Sequence, residues 1–475
     1  MRLMKSSVKQ GNRLLVLAVP LVLGFIGFTV VEKKPVSDGL FLTLCMYVLG
    51  YTDAPANIWI ELARWTAPLA TASGVILALK SLRDWLRGCY AYLQGNSVAV
   101  YGPEVERKAM LSQLRNGIEG KEAFVRAHQY LLLHDEKTNF AFYERHCRKL
   151  DDAQVFLKCS TLSAQSAVHD RLHLFCPEET AARLFWKENY LYPAAKACNY
   201  SMQVVLIGFG ELGKNLLISG LQSNIFHPEQ KISYHVFGDP QGFDTFHTQL
   251  AQISDPVIFH PEPWHQQLPL LEQAQMVLVL EQNDQPRLLD QLLLALCRQK
   301  IHVFSCADPQ LRCMDTANRV VFYDWLEEAQ KPAYIFDDIL YERAKRINLR
   351  YAHLYNQVPQ TPEQMELEWK KLDGFTRYSN IYAADYHELR LRMLQDWGWT
   401  PGQPLLDIQL EQLSHLEHIR WCRYHQLNNW KLGTPENGKN KDPQRKIHTC
   451  LIPYEELSEA EKEKDRENIR VMMSV

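Results

Sequence analysis

Hydrophobic positions along the chain fall into three regimes. In the first hundred residues they run together instead of alternating. The stretch "LLVLAVPLVLGFIGFTVV" (residues 14–31) carries no charge, and a second apolar run occupies residues 60–82. A hydrocarbon core is crossed by about 20 mostly apolar helical residues, so two retained spans are expected, over 14–31 and 60–82. The segment "DGLFLTLCMYVLGYTDAP" between them is too short to cross and reads as re-entrant over 38–53. Basic residues flank both ends (Arg2, Lys5, Lys9 and Arg13; Lys80, Arg83 and Arg87). This bias places both ends, and everything after them, on the cytoplasmic side of a cell inner membrane. The same basic flank would suit a cleaved signal peptide, but the run is long for one and a second run follows it.

The second regime, residues 96–330, has short apolar runs of strand length separated by amphipathic stretches. Strands are expected within "NSVAVYG", "QYLLLHD", "AQVFLKC" and "LHLFC", and again within "QVVLIG", "SYHVFGD", "PVIFH", "QMVLVLEQ", "KIHVFSC" and "RVVFYD". Strands alternating with helices give parallel, doubly wound sheets. In the second set the first strand runs into G-F-G-E-L-G and a helix. Gly208 permits the turn, Gly210 lets a phosphate approach the backbone, and Gly213 lets helix and strand pack, with Glu211 and Leu212 between them. Asp239 ends the next strand, where an acid accepts ribose hydroxyls. The first set has Gly102 but no further fingerprint, and reads as a degenerate Rossmann-like domain one strand–helix unit shorter.

The third regime is helical, charged and aromatic. Residues 331–375 read as a connector. A helix follows Gly374, with Ser379 and Asn380 as caps, and another covers "LSHLEHIRWCRYHQLNNWKLG". A basic loop then leads to "CLIPYEELSEAEKEKDR", where Ser458 and Glu461 form a capping box. Arg420, Arg423, Trp430, Lys431, Arg445, Lys446, His448, Tyr454 and Asp465 are the candidate ligand contacts. Aromatic faces suit a base and basic groups suit a phosphate.

Composition narrows the choice of partner. The 475 residues carry a formal charge of −3, which argues against a nucleic-acid partner. The 11 cysteines show no metal-ligand spacing, so no metal site is expected and the thiols read as reduced. No nucleophile–base pair stands out, so an enzyme is not expected.

Three resemblances follow from these residues. Val48, Leu49, Gly50, Tyr51, Thr52 and Asp53 resemble the potassium-channel filter T-V-G-Y-G-D, with Gly50, Tyr51 and Asp53 matching. Val48 and Thr52 depart from it, which puts potassium selectivity in doubt. The tandem Rossmann-like domains resemble the TrkA-N (regulator-of-conductance) domains. The end of the chain resembles the RyR domain, through Glu417, His418, Trp430, Gly433, His448, Leu451, Pro453, Tyr454, Leu457, Glu461, Lys462, Asp465 and Arg466.

Together these imply five parts: a transmembrane pore-like domain (1–90), a degenerate Rossmann-like domain (96–200), a TrkA-N-like Rossmann domain (201–330), a helical connector (331–375) and a RyR-type domain (376–475). The fold class expected is a membrane α hairpin with a re-entrant loop, then α/β, then a small mainly α domain. The implied function is a ligand-gated ion channel, a homotetramer among membrane lipids, passing a monovalent cation and sensing NAD(H) or another adenine nucleotide. The alternatives are a non-conducting, membrane-anchored nucleotide sensor that acts as a scaffold or disrupts the membrane, and an NAD(P)-dependent oxidoreductase.

Overall fold

The computed structural model describes residues 18–120, 124–150, 152–161, 171–305, 310–314, 318–436 and 438–474. The chain separates into two compact units at Ser97/Val98.

The first unit is a small helical cluster. Residues 18–25 are α-helical and pass into a π-helical run, Ile26–Val31. Helix α1 (Val36–Tyr47) and the long α2 (Ile58–Leu93) follow. Asn57 caps α2 by accepting from the N–H groups of Trp59 and Ile60, and its own amide donates to the Gly27 carbonyl. The core is Phe28, Met46, Tyr51, Ile60, Ala63 and Ala67.

This unit corrects the membrane reading. Among the described residues no helix is long and apolar enough to cross a membrane. Residues 14–17 of the first expected span lie outside the described residues. The rest divides into one short α segment and a π run. Helix α2 has the length, but Arg64, Thr66, Pro68, Thr71, Ser73 and Gly74 interrupt its apolar stretch. The filter comparison fails on geometry too. Tyr51 is buried, its ring edge-on to Phe28 at 5.4 Å, and so serves the core of the cluster. The positive backbone φ in the segment falls on Leu49 (59°), not on Gly50 or Thr52. Val48, Leu49, Gly50, Thr52 and Asp53 are exposed. The membrane hairpin, the pore and channel function, the cation, the lipid partners, the multi-pass inner-membrane location and the membrane-anchored alternative all fall with this correction. The homotetramer rested on enclosing a pore and loses its basis.

The second unit contains two parallel sheets. Strands β1 (Val98–Tyr101), β2 (Gly117–Glu119), β3 (Gln129–Leu132), β4 (Gln154–Lys158) and β5 (Leu172–Phe175) pair in the order β2-β1-β3-β4-β5. Strands β6 (Ser201–Ile207), β7 (Lys231–Phe237), β8 (Val257–Phe259), β9 (Met276–Val279), β10 (Ile301–Ser305) and β11 (Val320–Asp324) pair in the order β8-β7-β6-β9-β10-β11. The second order is that of the dinucleotide-binding Rossmann sheet. The first is what such a sheet becomes without its third strand. Its opening turn is closed to ligand: a Cβ on Gly102 would sit 2.7 Å from the Leu133 Cβ.

Alternation along β6 builds two cores. Val204 and Leu206 face helices α3 (Pro177–Glu188) and α4 (Gly210–Ser223), through Phe185, Trp186, Leu216 and Leu217. Val205 and Ile207 face Leu289, Leu292 and Leu296 on the other side.

Helix α5 (Glu342–Asn356) leads into α6 (Gly374–Asp396), α7 (Asp407–Leu427) and α8 (Glu459–Met473), with three two-residue strands between α7 and α8. These are β12 (Lys431–Leu432), β13 (Lys441–Asp442) and β14 (Ile447–His448). Tyr386 and Met393 of α6 and Leu416 of α7 join the core on the α4 side of the Rossmann sheet. Two caps differ from expectation. Asp373 caps α6, accepting from the Thr376 N–H, so Ser379 and Asn380 lie inside the helix. Ser458 accepts from the Glu461 N–H, but the Glu461 carboxylate turns away to Asn440 and Lys464.

Candidate functional site

Two clefts collect the chemistry. The first opens where β6 and β9 diverge at their carboxyl ends, the place where doubly wound sheets hold ligands. Gly208 has φ 89° and a Cβ there would meet the Glu281 amide nitrogen at 2.5 Å. Gly213 packs: a Cβ would meet the Phe209 ring at 2.7 Å and Leu280 at 3.3 Å. Gly210, the first residue of α4, differs from both. Its φ is 60°, and, chain neighbours and its own helix backbone aside, nothing among the described residues lies within 4 Å of where a Cβ would stand. Open space therefore adjoins a helix N-terminus, whose unpaired amides favour an anion.

The cleft has a volume of about 590 Å³. Asp239 follows β7, lines the cleft and is exposed, its carboxylate accepting from the Gln241 N–H at 2.9 Å. Glu262 and Glu281 also line it, and among the described residues no Lys or Arg does. Glu211 is held by Lys214 at 2.7 Å, and Leu212 is buried in the core. His260 reaches Glu262 at 3.3 Å and His235 at 2.9 Å. Burial, with the neighbouring His260, pushes the His235 pKa down to about 4. The wall is thus rich in hydrogen-bond acceptors, which suits ribose hydroxyls. Gly208 lines this cleft, while Gly210 and the rest of α4, which begins two residues on, are not among its lining residues.

The second cleft, about 570 Å³, lies between α7, the three short strands and α8. His418, Trp421 and His448 line it, with Lys439, Lys441 and Lys464 around them and Asp465 at its base. The His418 Nδ1 stands 3.3 Å from an Asp465 oxygen, and its Nε2 is 2.9 Å from the Ile452 carbonyl. A carbonyl only accepts, so Nε2 carries a proton. Burial works against charge on His418, but hydrogen bonds with Asp465 and Cys422 raise its pKa to about 10. His448 is the opposite case: burial and Lys441 push it down to about 4, and its Nδ1 accepts from the Cys450 N–H.

Of the nine candidates expected in this region, His448 and Asp465 line the cleft. Arg420 is buried on the opposite side of α7, paired with Glu417, which also takes Arg390. Arg423 is buried against Asp255. Trp430 packs on Phe375 and His425. Tyr454 stacks on His415 and donates to Glu411. Lys431 is exposed in β12, Arg445 pairs with Glu436, and Lys446 donates to the Asn428 carbonyl. Trp421, Lys439, Lys441 and Lys464 were missed. Helical spacing was the available signal. His418, Trp421 and His425 share one face of α7, while Glu417, Arg420 and Arg423 share the other.

A segment after β7 ties the Rossmann part to the end of α7. The segment leaving Asp239 forms a short helix, Phe243–Phe246, and ends on α7. There His247 Nδ1 lies 2.6 Å from the Leu427 carbonyl. The Thr248 N–H donates to the Asn429 side-chain oxygen at 2.8 Å, and the Asn429 amide donates to the Phe246 carbonyl at 2.9 Å.

Among the described residues no group of three or more His, Cys, Asp or Glu side chains is arranged to hold a metal ion. Residues 403–475 match the RyR domain family. No curated protein matches the chain. Among solved structures the chain is similar to L-tryptophan dehydrogenase from Nostoc punctiforme, with 10% sequence identity over 70% of this chain and 88% of that one. The TM-score is 0.27, too low for that likeness to bear on fold or function.

Proposed function

We propose that this chain is a nucleotide-binding sensor, in which the Rossmann cleft takes the ligand and the segment after Asp239 passes the change to the RyR-type region. The observation that carries this is Gly210: left-handed, at the first position of α4, with open space on its Cβ side. A packing glycine would be crowded, as Gly208 and Gly213 are.

The acid-lined wall favours the ligand with the least net negative charge. NAD⁺ meets this condition, because each phosphate of its pyrophosphate carries one negative charge and its nicotinamide is cationic. Asp239 at the ribose position repels a 2′-phosphate, which favours NAD(H) over NADP(H). We assign binding without chemistry. A ligand that closes the segment after Asp239 alters the contacts of His247 and Asn429, and so meets the requirement that it bind two states unequally.

Calorimetric titration of the full chain with NAD⁺, NADP⁺ and ADP tests this. NAD⁺ should bind tightest, and Gly210→Val should abolish the heat while the thermal transition survives. Equal NAD⁺ binding by Gly210→Val would refute the assignment. Turnover of NADH with a carbonyl substrate would refute the non-catalytic part.

A further inference from the structure

We propose that the cleft between α7 and α8 is a separate site for a phosphorylated aromatic ligand, a nucleotide monophosphate in its chemistry. It is independent of the Rossmann reading, because it uses different residues on a different part of the fold.

Lys441 stands directly opposite His448 across the antiparallel β13–β14 pair, so both side chains lie on one face of that small sheet. The His448 ring is edge-on to Trp421, 4.8 Å away at 80°. With Nδ1 of His448 already accepting from Cys450, the remaining proton of the neutral ring sits on Nε2. Neither that N–H nor the Trp421 indole N–H has a hydrogen-bond acceptor among the described residues. Lys441 is exposed and makes no ion pair among the described residues. Lys464 lines the cleft beside it.

The acceptors are already occupied. Glu461 holds Lys464 at 2.7 Å and Asn440 at 3.0 Å, and Asp465 faces His418. The cleft therefore offers unused donors and cationic charge next to a partly buried indole that packs against His418, His425 and His448. That combination recognises an anion attached to a planar ring: the ammonium groups and the two ring N–H groups take the phosphate and carbonyl or ring-nitrogen edges, and the indole takes the apolar face. A volume of about 570 Å³ is within the range of small-ligand pockets. An acidic peptide would bring charge but no ring, and would leave the indole unused.

The test is hydrogen–deuterium exchange of the full-length protein with AMP, adenosine and inorganic phosphate as probes, run on wild type, Lys441→Glu, Lys464→Gln and Gly210→Val. AMP should protect the segments 439–450 and 459–468. Lys441→Glu, at an exposed position, should weaken that protection about ten-fold in AMP concentration, with Lys464→Gln in the same direction. Gly210→Val should leave it intact, which separates this site from the Rossmann cleft. Absence of protection, or protection unchanged in Lys441→Glu, overturns the proposal. So does equal protection by adenosine, which lacks the anion, or by phosphate, which lacks the ring.

Discussion

Arg423 and Asp255 form an ion pair 2.8 Å apart with both side chains almost wholly buried, and the pair pins α7 to the Rossmann sheet. Asp255 also accepts from Gln230 and from the Ile232 N–H, while Arg423 donates to the Leu221 carbonyl and to Ser254. Among the described residues each charge is compensated by the other and by this shell. Removing one partner leaves a buried charge alone, which costs about 3–5 kcal/mol. Arg423→Ala and Asp255→Ala should each lower unfolding free energy by that order in denaturant titration. A double variant should cost less than the sum of the two. Additive losses would show that the residues do not act as a pair.

Two glycines separate fold from function. At Gly208 any Cβ collides with backbone, so Gly208→Ala should destabilise by about 1–3 kcal/mol and lower the thermal midpoint. At Gly210 the same change meets no neighbour and bears only the left-handed φ, about 1 kcal/mol. Gly210→Ala should therefore fold and lose nucleotide-dependent stabilisation. A larger loss of midpoint at Gly210 than at Gly208 would contradict this geometry.

Much of the fold was legible in the sequence, and the reasons are local. A run such as "QVVLIGFGELG" specifies strand, turn and helix within a dozen residues, and β6, Gly208, Gly210 and α4 lie there. The first unit was misread because apolar residues were counted without the small polar ones that dilute α2, and because Tyr51 was assigned to a filter when its partner is Phe28. Arg420 and Arg423 were misread because a basic residue is usually solvated. Their burial depends on Glu417 one turn away and on Asp255 far along the chain, and the second of these is invisible to local pattern. Strand β2 escaped because three residues carry too little pattern.

Acid should destabilise the second unit through His302. This ring in β10 is 1% exposed, edge-on to Phe185, with neither nitrogen hydrogen-bonded among the described residues. Burial, aided by Lys300, pushes its pKa down to about 4. Between its ordinary value near 6.5 and about 4, the unfolded chain is protonated and the folded one is not. The contribution of His302 is thus complete above pH 6.5 and is lost as pH falls, by at most about 1.4 kcal/mol per pH unit for one site. His302→Phe should flatten the acid limb of a stability–pH curve; an unchanged slope would rule His302 out as its source.

Alkali should act through His418, with the opposite sign. Its pKa is raised to about 10 in the folded chain, with Asp465 and Cys422 as the main opposing partners to burial. The folded state therefore holds this proton after the unfolded state has released it. The stabilisation is fully present below about pH 6.5 and declines as pH rises towards 10. Tyr454 and Trp421 pack near the ring, and Lys462 lies over Tyr454. Asp465→Asn keeps the shape and removes the counter-charge, so it should lower stability at pH 6 and abolish the decline between pH 7 and 10. A parallel decline in wild type and variant would assign it to other groups.

Asn429 joins the end of α7 to the segment after Asp239. Its side chain accepts from the Thr248 N–H and hydroxyl and donates to the Phe246 carbonyl, and its φ is 65°. Asparagine tolerates that backbone; alanine tolerates it less well, and glycine accepts it freely. Asn429→Gly therefore removes the hydrogen bonds without backbone strain, and Asn429→Ala adds strain of about 1 kcal/mol. If the segment after Asp239 carries the signal, NAD⁺ binding to wild type should change exchange protection at the end of α7 and in β12. Asn429→Gly should bind NAD⁺ with similar affinity and lose that distant change, and Asn429→Ala should lose it as well while melting lower. Persistence of the distant change in Asn429→Gly would move the coupling to another tie between α7 and the Rossmann part, such as the Arg423–Asp255 contact.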